Sequence, residues 1–444
     1  MSDHYEHQGK GRDVQKDMLA AWYKRLETAT ADGRKVAYLF VPGNIAELLR
    51  VFDIEVCYPE INALQCGIKR TSQSLIMTAE DMGYSSDVCG YVKNDIGLLS
   101  TGNKGPFGGL PKPDLLLCTY CGCTTFIKWF EQLAEYYDVP IVMLDVPYQR
   151  DGSIAPGDVA YLVGQLREIA GACEKLTGRR FDEARLAEIL KLSAEAEDLW
   201  ASILHSARRR PSPFDAYFEA VFFMAPIYAL RGTQECVDYY RIAAAEIDER
   251  LRHNIGPVPD ERFRLVMEGP PPWPAFRSFW ELFKTWGAVS VASTYSKVGG
   301  FWDRGFRHDP DRPLESIAEY CLGCYTNQSL PMRSGLIRSY VDEYDADAVV
   351  IHSVKSCRSF SVGQADFREE FTRMRDIPTL LVESDLVDPR YFQHAQLKNR
   401  VDAFFEALEH RRLIGAPAAG AAAPHAAAPH AAAPHPAAPG GTRA

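Results

Sequence analysis

The chain has 444 residues, too many for one ordinary domain, so two or three are expected. Apolar residues make up 46% and charged residues 24%, the balance of a soluble globular protein with enough apolar mass for a sizeable core. The formal net charge is −10, with no basic run and no basic stripe interleaved with aromatics; this argues against a nucleic-acid partner and requires a local basic pocket for any anionic ligand.

The opening MSDHYEHQGKGRD is polar and lacks the apolar centre of a signal peptide. No apolar stretch is long enough for a bilayer, so no membrane partner is expected and the cytoplasm is the default compartment. Residues 12–30 carry the period of an amphipathic helix. RKVAYLFVP (34–42) reads as a buried strand running into a turn, and TSQSLIMTAEDMG (71–83) as a helix closed by Gly83. The glycine-rich TGNKGPFGGLPKP (101–113) reads as a loop. It has neither the G-x-x-x-x-G-K-[ST] nor the G-x-G-x-x-G order, so no Walker-type ATP site is expected here. PDLLLCT (113–119) has the short apolar run of a strand buried on both faces. TTFIKWFEQLAEYY (124–137) is helical in period, and PIVMLDVPY (140–148) reads as another buried strand. That order implies a right-handed parallel crossover.

Residues 157–255 are rich in Ala, Leu, Glu and Arg at helical spacing and read as a helical insertion. FRLVMEG (263–269), AVSVAST (288–294), ADAVVIHSV (346–354) and PTLLVESD (378–385) then return as strands between helices, and FRSFWELFKTW (276–286) has the spacing of a core-packing helix. The expected fold is α/β: two Rossmann-like parallel-sheet halves with a helical insertion and a disordered C-terminal tail. The divisions are 1–155 for the N-terminal helix and first half, 156–258 for the insertion, 259–413 for the second half, and 414–444 for the tail. The repeating AAAPH unit of that tail cannot bury a core, and His425, His430 and His435 would bind a stray metal only weakly.

The two halves share a pattern: a strand, a cysteine just beyond it, a helix, an apolar-Pro pair, and a strand ending in an acid. In open parallel sheets, ligands sit beyond the carboxyl ends of strands, which is where Cys118, Cys121, Cys123 and Cys357 fall. The 11 cysteines are odd in number in a cytosolic-looking chain, which argues against a disulfide framework. Three metal readings exist. Structural zinc would pair Cys118-x-x-Cys121 with Cys321-x-x-Cys324, but those pairs are far apart and in different halves. The C-x₃-C-x₂-C spacing of a radical-type cluster is absent. A cluster held by dispersed thiolates from separate loops suits iron–sulfur chemistry. Spacing alone does not separate this last reading from buried structural cysteines.

The chain resembles the 2-hydroxyacyl-CoA dehydratase and benzoyl-CoA reductase family over nearly its whole length before the tail. The likeness is carried by VCYPEINALQCGIKRTS (56–72), MGYSSDVCGYVKNDIG (82–97), TYCGCTTFIKWFEQLAEYYDVPIVMLDVPYQ (119–149), YCLGCYTNQSLPMR (320–333), HSVKSCRSFSVGQADF (352–367) and IPTLLVESDLVDPRYFQHAQLKNRVDAFFEAL (377–408). YCGCTTFIKWFE, CYTNQSLP and SVKSCRSFS look most like the B-type subunits of the ATP-dependent reductase branch. The resemblance implies a [4Fe–4S] cluster held by Cys89, Cys123 and Cys357, with Cys121 and Cys118 as alternates for the middle ligand. Cys321 and Cys324 fall outside the implied ligand set. It further implies a homologous cluster-bearing partner subunit and a separate ATP-hydrolysing activator, with ferredoxin as upstream donor. The implied reaction is reduction of benzoyl-CoA to a cyclic diene-carboxyl-CoA. The alternative within the family is (R)-2-hydroxyacyl-CoA dehydration through a ketyl radical. From another class, the chain would be a non-catalytic electron relay or a zinc-stabilised scaffold. Glu60 and His352 are the candidate acids, set against a strand-end carboxylate and a core histidine respectively. Arg358 is a candidate partner for a cluster sulfur or a coenzyme A phosphate, set against a surface ion pair.

Overall fold

The computed structural model describes residues 9–297 and 300–414. The tail expectation therefore lies outside the described residues, apart from Ile414 at the end of the last helix. The first half is a four-stranded, all-parallel sheet of β1 (Val36–Tyr38), β2 (Glu55–Cys57), β3 (Leu115–Tyr120) and β4 (Ile141–Asp145), in the order β2-β1-β3-β4. The second half holds β5 (Phe263–Glu268), β6 (Ala288–Ser293), β7 (Ala348–Val354) and β8 (Thr379–Ser384), again all parallel, in the order β6-β5-β7-β8. The two orders are the same when the second is counted from its own first strand. The repeat visible in the sequence is thus a repeat of topology. Each sheet changes direction between its first and third strands, so each has a crevice beyond β1/β3 or β5/β7.

Three details depart from the pattern of the sequence. β2 leaves no trace in it, because three residues show no period. β1 spans only Val36–Tyr38, since the chain leaves the sheet before its Val41-Pro42-Gly43 turn. β4 is not a buried strand: it is an edge with one neighbour, and Met143 and Asp145 are exposed. Its apolar run covers one side only.

Between the halves lie the long helices Pro156–Thr177, Glu183–Ser206 and Gln234–Arg252. The last two start at side-chain caps: Asp182 accepts the Arg185 N–H and Thr233 accepts the Cys236 N–H. The N-terminal helix Lys10–Ala29 lies on Gln234–Arg252 and buries Trp22, Tyr23 and Leu26. The helix Phe276–Lys284 buries Phe276, Phe279, Leu282 and Phe283 against the second sheet, the core role that its spacing indicates. No helix among the described residues is long and apolar enough to cross a membrane.

Candidate functional site

Cys89, Cys123 and Cys357 occupy the same local position in three different segments: each is the residue immediately before a helix. Cys89 precedes Gly90–Ser100, Cys123 precedes Thr124–Tyr137, and Cys357 precedes the short turn Arg358–Ser361. Residues at that position have unsatisfied backbone N–H groups just ahead of them. Those of Tyr91 and Val92 point to the Cys89 sulfur, those of Thr125 and Phe126 to Cys123, and that of Phe360 to Cys357. All three thiols are only partly exposed. Burial pushes each up, Cys357 to about 12, while the N–H groups pull the other way. The charges of Cys357 and Cys123 are felt at Cys89, and that of Cys123 at Cys357, so the three sulfurs share one locality.

Hydrogen bonds tie the three loops together. The Gly90 N–H donates to the Ser356 hydroxyl at 3.1 Å, joining the Cys89 and Cys357 loops. The Ser359 hydroxyl donates to the Gly122 carbonyl at 3.1 Å, joining the Cys357 and Cys123 loops across the two halves. Asp385, the acid just beyond β8, accepts the Ser356 N–H at 3.0 Å. The corresponding acid of the first half, Asp145, faces outward and accepts the Tyr161 hydroxyl instead. Two glycines permit the close approach. A Cβ on Gly90 would lie 2.7 Å from Val387 Cγ2; one on Gly122, whose φ is +77°, would lie 1.9 Å from the Thr326 carbonyl oxygen.

Among the described residues, no three His, Cys, Asp or Glu side chains close around a point as they would around a single metal ion. A polynuclear cluster takes its thiolates at different irons, so its ligands stand farther apart. The donor set suits such a group: three thiols with converging N–H donors, none of which donates a hydrogen bond to another described residue. The other cysteines of this region behave differently. Cys121 is fully buried and donates to the Cys321 carbonyl at 3.2 Å, while Cys324 accepts the Gly43 N–H at 3.1 Å. A hydrogen bond with Cys324, together with burial, pushes the Cys121 thiol well up. The fold therefore brings together three of the four cysteines of the zinc reading despite their separation in sequence. Each donates to a backbone carbonyl, Cys121 to that of Cys321, Cys321 to that of Gly43 and Cys324 to that of Tyr320. Cys118 is buried inside β3, short of the loop.

A sequence model described as "2-hydroxyglutaryl-CoA dehydratase, D-component" matches residues 41–408. The chain is 48% identical to the B-type subunit of benzoyl-CoA reductase from Thauera aromatica, over 90% of this chain and 94% of that protein. It is 28% identical to the (R)-2-hydroxyisocaproyl-CoA dehydratase alpha subunit of Clostridioides difficile, over 91% and 97%. It is 24% identical to the (R)-2-hydroxyglutaryl-CoA dehydratase alpha subunit of Acidaminococcus fermentans, over 90% and 97%. The chain belongs to the benzoyl-CoA reductase and 2-hydroxyacyl-CoA dehydratase family.

In this family member, Glu60 sits beside the cysteine site. It lies in the first turn of Pro59–Ile68, beyond β2, and accepts the Val41 N–H. Burial pushes its carboxyl up to about 7, against the pull of that N–H. Its charge is felt at Cys123, Tyr91 and Tyr295. Sequence pattern does not single out the two tyrosines, although Tyr91 stands two residues after Cys89 in DVCGYVK. His352 is fully engaged elsewhere: Nδ1 donates to the Pro270 carbonyl and Nε2 accepts from the Ser384 hydroxyl at 2.6 Å. Burial holds it neutral, down at about 4, so the structure uses it as a core histidine of the second half. Arg358 is exposed and makes no ion pair with another described residue.

Proposed function

We propose that this chain is the iron–sulfur subunit of an ATP-driven benzoyl-CoA reductase. One observation carries the reading: Cys89, Cys123 and Cys357, from three distant segments, meet as helix-start thiols in loops cross-tied by Ser356 and Ser359. The 48% identity to a benzoyl-CoA reductase subunit supports the substrate over the 2-hydroxyacyl-CoA alternatives, whose subunits are 24–28% identical.

In this reading the three thiolates hold a [4Fe–4S] cluster with fewer than four protein ligands. When bound, the cluster supplies a low-potential electron route from a separate ATP-hydrolysing activator, itself fed by ferredoxin, to the acyl-CoA. The chain's own residues do the rest. The helix-start N–H groups stabilise negative charge on the sulfurs. Glu60, shifted to about 7 by burial, holds a proton near neutral pH beside Cys123, Tyr91 and Tyr295, and serves as the acid that protonates the reduced ring. Arg358, exposed beside Cys357 and free of a described ion partner, meets a coenzyme A phosphate. The complex is completed by a homologous cluster-bearing subunit, and the cytoplasm is its compartment.

The test is anaerobic. Purified chain should contain iron and acid-labile sulfide, and the reconstituted complex should reduce the ring of benzoyl-CoA with ATP and a strong reductant. Zinc without sulfide would sink the cluster. Water elimination from a 2-hydroxyacyl-CoA with no ring reduction would transfer the chain to the dehydratase branch.

A further inference from the structure

The motif YCLGCYTNQSLPMR (320–333) supplies no residue to the proposed ligand set, yet it reaches both halves of the site. Its Thr326 hydroxyl donates to the Cys121 carbonyl at 2.8 Å, two residues before Cys123. Its last residue, Arg333, is 4% exposed. The guanidinium donates from Nη1 to the Ser359 carbonyl at 3.1 Å, and from Nη2 to the Phe360 carbonyl at 3.3 Å and to Glu268 Oε1 at 2.7 Å. It lies over the rings of Tyr325, Phe360 and Phe367, 4.6–5.5 Å from their centroids. Glu268, at the carboxyl end of β5, is held in turn by the hydroxyls of Thr294 and Tyr325.

Arg333 therefore grips the turn that starts at Cys357, and through Ser359 it reaches the carbonyl just before Cys123. A planar fork suits two adjacent carbonyls and a carboxylate at once; a lysine ammonium does not. Arg333 touches the Cys357 turn directly, whereas the Glu268 carboxylate bonds Arg333, Thr294 and Tyr325, none of them in that turn. A buried cation near a cluster stabilises the added electron, because reduction makes the cluster more negative in a poorly screened environment.

We propose that Arg333 is the positioning residue of the cysteine site, fixing the Cys357 and Cys123 loops through Ser359 and raising the reduction potential of the bound cluster by its charge. This rests on the iron–sulfur reading.

The test uses full-length chain loaded anaerobically, with iron and sulfide per chain and the midpoint potential as readouts. Arg333→Lys keeps the charge and loses the fork. Its potential should stay near wild type while its cluster is held roughly tenfold more weakly, as for other groups that orient metal ligands. Glu268→Gln/Arg333→Met removes both charges without stranding a carboxylate, and its potential should shift to more negative values. Ser359→Ala removes only the link to Gly122 and should weaken cluster retention without moving the potential much. Wild-type retention in Arg333→Lys and Ser359→Ala would overturn the positioning role, including where the double variant fails to fold. An unmoved potential in a loaded double variant would overturn the charge role. Absence of iron and sulfide from the wild-type chain is a different failure, which sinks the parent reading and this one with it.

Discussion

The thiols packed between β3 and Cys324 are told apart by their hydrogen bonds. Cys121 donates a hydrogen bond to the Cys321 carbonyl and is pushed well up by Cys324 and burial, whereas Cys123 receives N–H donors from the helix it precedes. Cys123→Ser is therefore expected to strip most of the iron and sulfide from anaerobically prepared chain. Cys121→Ser should keep them and lose only a modest amount of thermal stability. The opposite result would move the middle ligand to Cys121. Glu60 is tested separately, because it acts on protons. Glu60→Gln should leave cluster content unchanged and reduce turnover about 100-fold or more, the usual scale for a lost general acid. With the carboxyl at about 7, the wild-type rate should fall as pH rises through that value, and the variant should lose this limb of the profile. A variant retaining the wild-type pH profile would remove Glu60 from the chemistry.

The elements explain why the thiols meet. Each half delivers its cysteine from the loop after its third strand, and the matching strand orders mean that β3 and β7 do the same work twice. Gly122 is the tightest point of this arrangement. A Cβ there would lie 1.9 Å from the Thr326 carbonyl oxygen, at a φ that side chains avoid. Gly122→Ala should lower stability by about 1–3 kcal/mol and weaken cluster retention as Cys123 is displaced. Denaturant unfolding and iron analysis would show both effects; a fully stable, fully loaded variant would show that the loop has slack. Much of this is legible in the sequence. The strand-cysteine-helix pattern places Cys123 and Cys357 beyond strand ends because period and turn residues are local signals. Cys89 carries no such signal: it lies between two helices, Ser72–Asp81 and Gly90–Ser100, and joins the site through long-range contacts such as Gly90–Ser356, across 266 positions. Arg333 and Tyr295 are silent in the sequence for the same reason. The edge position of β4 is hidden because an apolar run does not reveal how many neighbours a strand has.

At the scale of the whole molecule, one buried ionic group joins the first half, the helical insertion and the second half. Arg231 donates to Glu47 at 2.6 Å, to Glu197 at 3.2 Å and to the Tyr320 hydroxyl at 3.0 Å, and His308 pairs with Glu197 at 2.7 Å. Arg231, Glu47, Glu197 and His308 are buried almost completely. Tyr320 begins the motif that ends at Arg333, so the group also braces the segment that clasps the cysteine loops. Arg231→Met would leave two carboxylates buried without their cation and should cost about 3–5 kcal/mol, enough to threaten folding outright. A milder variant reads the same network through pH. Burial opposes ionisation of Glu47, but Arg231 and His308 outweigh it and hold the carboxyl down at about 2. A carboxyl depressed in the folded state contributes stability above its unfolded value near 4.5 and loses it as pH falls towards 2. The contribution at neutral pH is on the order of 3 kcal/mol. Glu47→Gln should therefore be less stable than wild type at pH 7, with the difference shrinking as acid is added below about pH 4.5. Paired urea unfolding of the two chains across that range cancels groups that titrate in both. A stability difference independent of pH would mean that Glu47 contributes through packing, with Arg231 balanced by Glu197 alone.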